Sequence, residues 1–166
     1  MTSIQPIFPV CLCLSVLVCV FSLLPVLAAD PVTITPVWIH DGDTFQAHLI
    51  NKAFLNCRIW GIDAPELDQP WGKVSKSALI ELIHQRKIKI QKISDSYSRT
   101  VVTVHLSGRD IALELIKMGL AWHDPKFSPG KKDYAEAQKQ AQKNKIGLWS
   151  DKYPVPPWEW RKKRKE

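Results

Sequence analysis

Charge is missing from the start of the chain: none of its 23 Lys and Arg, 16 Asp and Glu or 5 His residues lies before Asp30. Cysteine is sparse and misplaced for a scaffold. Cys11, Cys13 and Cys19 fall in that uncharged stretch, none of them after the small residue a lipid-attachment site needs, and only Cys57 follows it. Once residues 1–29 are removed, one thiol is left, which excludes an intrachain disulfide and a cysteine-built zinc cluster. His40, His48, His84, His105 and His123 show no ligand spacing, and no internal repeat is visible. Disulfide-stapled, zinc-finger and solenoid classes are therefore set aside.

What stands in the uncharged stretch is a nearly continuous apolar run from Ile7 to Ala29, interrupted by Pro9, Ser15, Ser22 and Pro25. It closes on the small residues Ala28-Ala29 before Asp30-Pro31, which reads as an export signal with a peptidase site. The run also has the ~20 apolar residues that span a bilayer, so residues 7–29 read alternatively as an uncleaved anchor. Either reading delivers the body out of the cytoplasm, secreted, periplasmic or membrane-anchored. The expected organisation is a signal or anchor at 1–29, a domain at 30–151 and a tail at 152–166. The net charge of +7 sits wholly beyond residue 29, and Arg161 to Glu166 carry +4 of it. That permits an anionic partner, although a basic tail of this kind reads first as a solvated end.

In the body, Val32–His40, Thr44–Ile50 and Phe54–Ile62 read as strands, with Asp41-Gly42 as a hairpin turn and Asn51-Lys52 as another. Trp71–Gln85 reads as a helix with Val74, Ala78, Leu79, Leu82 and Ile83 on one face. Strands follow at Lys87–Ile93 and Thr100–Leu106. Asp110 caps a helix over Ile111–Met118 that stops at Gly119, and Lys132–Lys145 forms a polar helix. Five short strands with a helix after the third suit an α+β fold, an OB-type five-stranded β-barrel with three helices. Past Asp151, the segment Pro154-Val155-Pro156-Pro157-Trp158-Glu159-Trp160 is expected to lie extended along the body or free. Cys57 is expected as a buried small hydrophobe.

Two stretches carry chemistry: Asp41-Gly42-Asp43-Thr44, and Arg58 through Asp63-Ala64-Pro65-Glu66. The first is by itself a turn. The second puts an Arg into a core strand, an Asp at its end and a Glu just past a Pro. In a small barrel the ends carrying Asp43 and Asp63 can meet. Two carboxylates ~4–5 Å apart repel by about 4 kcal/mol at an effective dielectric near 20, so the pair needs a cation or a shared proton. Oxygen-only donors favour Ca²⁺ or Mg²⁺, and the peptide around Ala64 offers a carbonyl. Arg99, after Asp95-Ser96-Tyr97-Ser98, joins Arg58 as a second guanidinium. Two such forks aimed at one point complement a phosphodiester whose charge grows toward the transition state.

These pieces, with Gly119-Leu120-Ala121 and Gly147-Leu148-Trp149-Ser150, occur in an order that resembles the staphylococcal nuclease (thermonuclease) family from about Val32 to Asp151. The resemblance implies an OB-fold barrel with three helices that cleaves DNA and RNA with Ca²⁺. It makes Asp43, Asp63 and the Ala64 carbonyl metal ligands, and Glu66 the group that activates or orients the attacking water. It makes Arg58 and Arg99 the phosphate clamp, and lays Tyr97 against the nucleotide. It also implies cleavage to the 5′ oxygen, leaving 3′-phosphate ends. Ala64 stands where the family carries Thr, and Ser96 where some members carry Lys. The base-stacking aromatic is open among Trp122, His123 and Phe127. Trp149 is expected in the core, and Trp158 and Trp160 either dock the tail on the barrel or stack on single strands. A monomer with no obligate protein partner is expected. The other class to weigh is a non-catalytic nucleic-acid or protein binding module on the same barrel. Such a module has no use for paired acids that repel phosphate.

Overall fold

The computed structural model describes residues 30–48 and 53–164. The apolar segment at 7–29, the end of the second expected strand, the Asn51-Lys52 turn and Lys165 lie outside the described residues. Strands β1 (Val32–Ile39), β2 (Thr44–His48) and β3 (Phe54–Ile59) form an antiparallel meander. A two-residue strand β4 (Ile62–Asp63) and helix α1 (Gly72–Ile83) precede the long hairpin β5 (Ile88–Ser96) and β6 (Arg99–Leu106). Then come β7 (Arg109–Asp110), α2 (Ile111–Lys117), β8 (Trp122–His123), α3 (Lys132–Lys143), a 3₁₀ turn at Gly147–Ser150 and α4 (Pro157–Lys163). β5 pairs with β1, and β6 pairs in parallel with β3, so β1, β2, β3, β5 and β6 close on themselves. This is the expected five-stranded barrel. Among the described residues no helix is long and apolar enough to cross a membrane.

Alternation decides what fills it. Phe45 and Ala47 on β2, Cys57 and Ile59 on β3, and Val102 and Val104 on β6 all point inward and are buried. Leu79 and Ile83 of α1 and Ile111, Leu115 and Ile116 of α2 cover them in one continuous core. Asp110 caps α2 through Oδ1 to the Ala112 amide at 3.0 Å and accepts the Tyr134 hydroxyl on Oδ2 at 2.7 Å, tying α3 to α2. Leu148 and Trp149 form a smaller cluster with Ala141, as expected for Trp149.

Four local expectations are corrected. The third strand stops at Ile59, because Gly61 takes φ 80° and turns the chain so that Ile62 and Asp63 pair with His123 and Trp122 instead. The stretch before Arg99 is no loop: Ser96 pairs with Arg99, leaving Tyr97 and Ser98 as a two-residue turn. On α1 the inward position of the first turn falls to Ser75, whose Oγ donates to the Leu120 carbonyl at 2.7 Å, while Val74 is exposed. The Pro-rich segment ends in a helix, α4, a fourth beyond the three expected. Pro157 sits at its first turn, where a missing N–H costs nothing, with Glu159 near its start and Arg161, Lys162 and Lys163 at its end, matching the helix dipole.

Candidate active site

Asp43 is placed by the loop between β1 and β2. Asp41 Oδ1 accepts the backbone amides of Asp43 at 3.0 Å and Thr44 at 2.7 Å, folding the loop around its own side chain. Gly42 belongs there for a steric reason: a Cβ would collide with Ser75 Oγ and reach within 2.7 Å of Ala64 Cβ. The loop therefore lies flat on α1 and the Asp63-Ala64 segment. This packing, more than turn geometry, explains the Asp-Gly pair. Asp43 is 2% exposed, as is Asp63 at the end of β4.

The two acids share one guanidinium. Arg58 donates from Nη1 to Asp43 Oδ1 and from Nη2 to Asp63 Oδ1, both at 2.7 Å. Thr44 Oγ1 adds a bond to Asp43 Oδ1 at 2.8 Å, and the Ala64 amide donates to Asp43 Oδ2 at 2.8 Å. Burial nevertheless pushes the Asp43 carboxyl up to about 7; Arg58 pulls it down, Asp41 and Asp63 add to the rise, and the Ala64 amide opposes it. The acids in turn hold the Arg58 guanidinium above its usual range, with Asp43 the larger cause.

Glu66, half-buried, follows on a short loop whose amides are set by Gln69: Glu66 N donates to Gln69 Oε1 at 3.2 Å, and Gln69 N returns to the Glu66 carbonyl at 2.9 Å. Its carboxylate is met by a residue that sequence reasoning assigned to a solvated tail. Arg161, on α4, donates from Nη1 to Glu66 Oε1 at 2.7 Å and from Nη2 to Asp63 Oδ2 at 2.7 Å. The pattern that would have found it is Pro157 followed by Glu159 and Arg161, a helix start with the arginine one turn on.

Arg99 reaches the same place by register. Arg58 pairs with Val101 in the parallel β3–β6 contact, and Arg99 lies two residues from Val101, hence on the same outward face. Arg58, Asp63, Arg99 and Arg161 line one cleft of about 480 Å³, together with Trp60 and Phe127. Among the described residues Arg99 has no carboxylate partner, unlike Arg58 and Arg161. Tyr97 projects from the tip of the β5–β6 hairpin, fully exposed. Of the three candidate aromatics, Phe127 lines the cleft and is 64% exposed. Trp122 packs edge-on against Trp149 and Trp158, and His123 is buried with Nε2 3.0 Å from Ser128 Oγ.

The donors gathered here are carboxylate oxygens with no His or Cys among them. That set suits a hard divalent cation. Asp43 and Asp63 are buried together with one guanidinium between them, and the cost of ionising Asp43 is what an added positive charge would offset. In the arrangement described, however, guanidiniums face the acids, and among the described residues no three acid, His or Cys side chains already form a cage.

Comparison with known proteins identifies the family. The family described as staphylococcal nuclease homologue matches residues 56–151, more than half of the chain. The chain belongs to the staphylococcal nuclease family. A Haemophilus influenzae protein named "Uncharacterized endonuclease" is 35% identical over 159 residues, covering 92% of this chain and 85% of that protein. Protein ParB of Escherichia coli is 31% identical over 140 residues, 76% of this chain and 77% of ParB. The probable staphylococcal-like nuclease CAN1 of Oryza sativa subsp. japonica is 35% identical over 109 residues, 65% of this chain but 33% of the rice protein. The nuclease-family match ends at Asp151, so α4 and Arg161 lie beyond it. The relative from Haemophilus nevertheless aligns with nearly the full chain.

Proposed function

We propose that this member of the staphylococcal nuclease family is a Ca²⁺-dependent phosphodiesterase that hydrolyses DNA and RNA and leaves 3′-phosphate ends. The observation that carries the reading is one cleft lined by Arg58, Asp63, Arg99 and Arg161, with Asp43 bonded to Arg58 and Glu66 bonded to Arg161. A module that only bound nucleic acid would gain nothing from three acids beside its arginines.

Asp43 and Asp63, with the Ala64 carbonyl, would hold the cation, which supplies positive charge to the phosphate and to the nearby water. Arg99, unpaired among the acids, binds a non-bridging phosphate oxygen. Arg58 has donors beyond the two that Asp43 and Asp63 take, and the residue lines the same cleft. Glu66 accepts a proton from the attacking water as its oxygen bonds to phosphorus. The bond from phosphorus to the 5′ oxygen breaks, and that oxygen leaves with a proton from solvent. Charge building on the phosphoryl oxygens is met by the guanidiniums, which is where most of the rate is gained. Tyr97 and Phe127 flank the nucleotide. The uncharged segment at 7–29 supports action outside the cytoplasm, either released or anchored.

A labelled single-stranded oligonucleotide incubated with the protein and Ca²⁺ tests this. Fragments ending in 3′-phosphate and 5′-hydroxyl are expected. An intact oligonucleotide, or fragments with 5′-phosphate ends, would contradict the reading.

A further inference from the structure

The loop that carries Glu66 is fastened to the C-terminal tail at every polar side chain it offers. Glu66 accepts from Arg161 Nη1 at 2.7 Å. Asp68 accepts Trp160 Nε1 on Oδ1 at 3.2 Å and pairs with Arg164 through Oδ2 at 3.3 Å. Gln69 Nε2 donates to the Val155 carbonyl. The tail is in turn anchored away from the acids: Pro157 is buried, Trp158 lies against Trp122 with ring centroids 5.6 Å apart, and Asp151 accepts Trp71 Nε1 at 3.0 Å. Arg161 thus reaches the acids from a docked helix rather than from a free end. Its fork takes both oxygens of Asp63, at 3.2 Å and 2.7 Å, as well as Glu66.

We propose that Arg161 is a positioning residue of the active site: carried by α4, it fixes the direction of the Glu66 carboxylate relative to Asp63 and so sets the turnover rate. The inference rests on the nuclease reading for what Glu66 does, and on the contacts above for what Arg161 does. A carboxylate on a short exposed loop rotates freely unless something holds it. The loop's own bonds, between Gln69 and the Glu66 backbone, do not reach the Glu66 side chain, and the loop as a whole is held in place by its contacts with the tail. Arg161 is the partner of that side chain, and by binding Asp63 with the same guanidinium it sets the separation of the two acids. Because a guanidinium is planar and forked, an ammonium reproduces one of these contacts but not the set.

The test compares full-chain wild type with Arg161→Ala, Arg161→Gln and Arg161→Lys in single-stranded DNA cleavage at saturating Ca²⁺, alongside amide hydrogen exchange of residues 66–69. Loss of a residue that orients an active-site carboxylate costs ~10–100-fold. We expect kcat to fall by about that factor in Arg161→Ala and Arg161→Gln with KM little changed, an intermediate kcat in Arg161→Lys, and faster exchange at 66–69 in all but wild type. An unchanged kcat in an active, folded Arg161→Ala protein overturns the inference. So does a kcat above wild type, which would make Arg161 a plug over the acids. Wild-type protein that cuts no nucleic acid sinks the nuclease reading instead; the exchange arm is then read alone, and unaltered protection at 66–69 overturns the positioning role.

Discussion

Thr44 and Arg58 sit directly opposite each other in the antiparallel β2–β3 register. That pairing organises the site. It sets the Arg58 side chain beside the residue preceding Thr44, so its Nη1 meets Asp43 at 2.7 Å, and the turn after Ile59 swings Asp63 back onto Nη2 at the same distance. The parallel contact with β6 then brings Arg99 onto the same face. Three distant stretches of sequence meet because one arginine lies at the junction of two strand pairings.

Arg58 and Arg99 should therefore respond differently to removal. Arg58→Ala leaves Asp43 and Asp63 buried without their shared counter-charge, a loss of about 3 kcal/mol of stability in addition to lost turnover. Arg99→Ala should change stability by no more than about 0.5 kcal/mol. Its rate should nevertheless fall ~10²–10³-fold, as for loss of one transition-state donor. Urea unfolding and initial cleavage rates on both variants check this; equal stability losses would show that Arg58 does not bridge the acids.

Phe127 should bear on affinity rather than on chemistry. It is the aromatic that both lines the cleft and lies open to solvent. Base–aromatic stacking contributes ~1–3 kcal/mol, so Phe127→Ala should raise KM for single strands about tenfold with kcat nearly constant. Trp122, packed between Trp149 and Trp158, should instead lower thermal stability when truncated. A KM unmoved by Phe127→Ala would return the stacking role to Tyr97 or to no aromatic at all.

Cys57 should be chemically silent in the folded protein. It is fully buried on β3, and burial pushes its thiol up to about 12. At pH 8 the thiol stays protonated and out of reach, so iodoacetamide should label it only after denaturation. Labelling at the same rate with and without denaturant would mean that the barrel opens far more readily than its closed sheet implies.

Much of this is legible in the sequence alone. The alternation at Phe45 and Ala47 and the apolar setting of Cys57 announce the barrel interior, and Asp110 and Gly119 mark the ends of α2. Arg58, Asp63 and Glu66 stand out as charges on a core strand and just past it, whereas Asp43 and Arg99, a turn and a loop residue when taken alone, join them only through the order of motifs that resembles the family. Register was not legible: nothing local tells Arg58 that Thr44 and Val101 are its neighbours, so its tethering of both acids came only with the fold. The packing reason for Gly42 likewise depends on Ser75, a helix away. The largest surprise was α4. Proline hid a helix because at the first turn it is tolerated, and a basic run hid Arg161 because charge density says nothing about which side chain is docked.

The central claim is that Glu66 works as the base on a phosphodiester beside a cation held by Asp43 and Asp63. The most direct measurement is the rate of single-stranded DNA cleavage by wild type and Glu66→Gln, each with Ca²⁺ and with EDTA, on protein whose folding is confirmed by circular dichroism. The account predicts cleavage by wild type in Ca²⁺ alone, abolished by EDTA, and a drop of ~10²–10⁴-fold in Glu66→Gln. Cleavage that survives chelation, or a Glu66→Gln variant as fast as wild type, would contradict it.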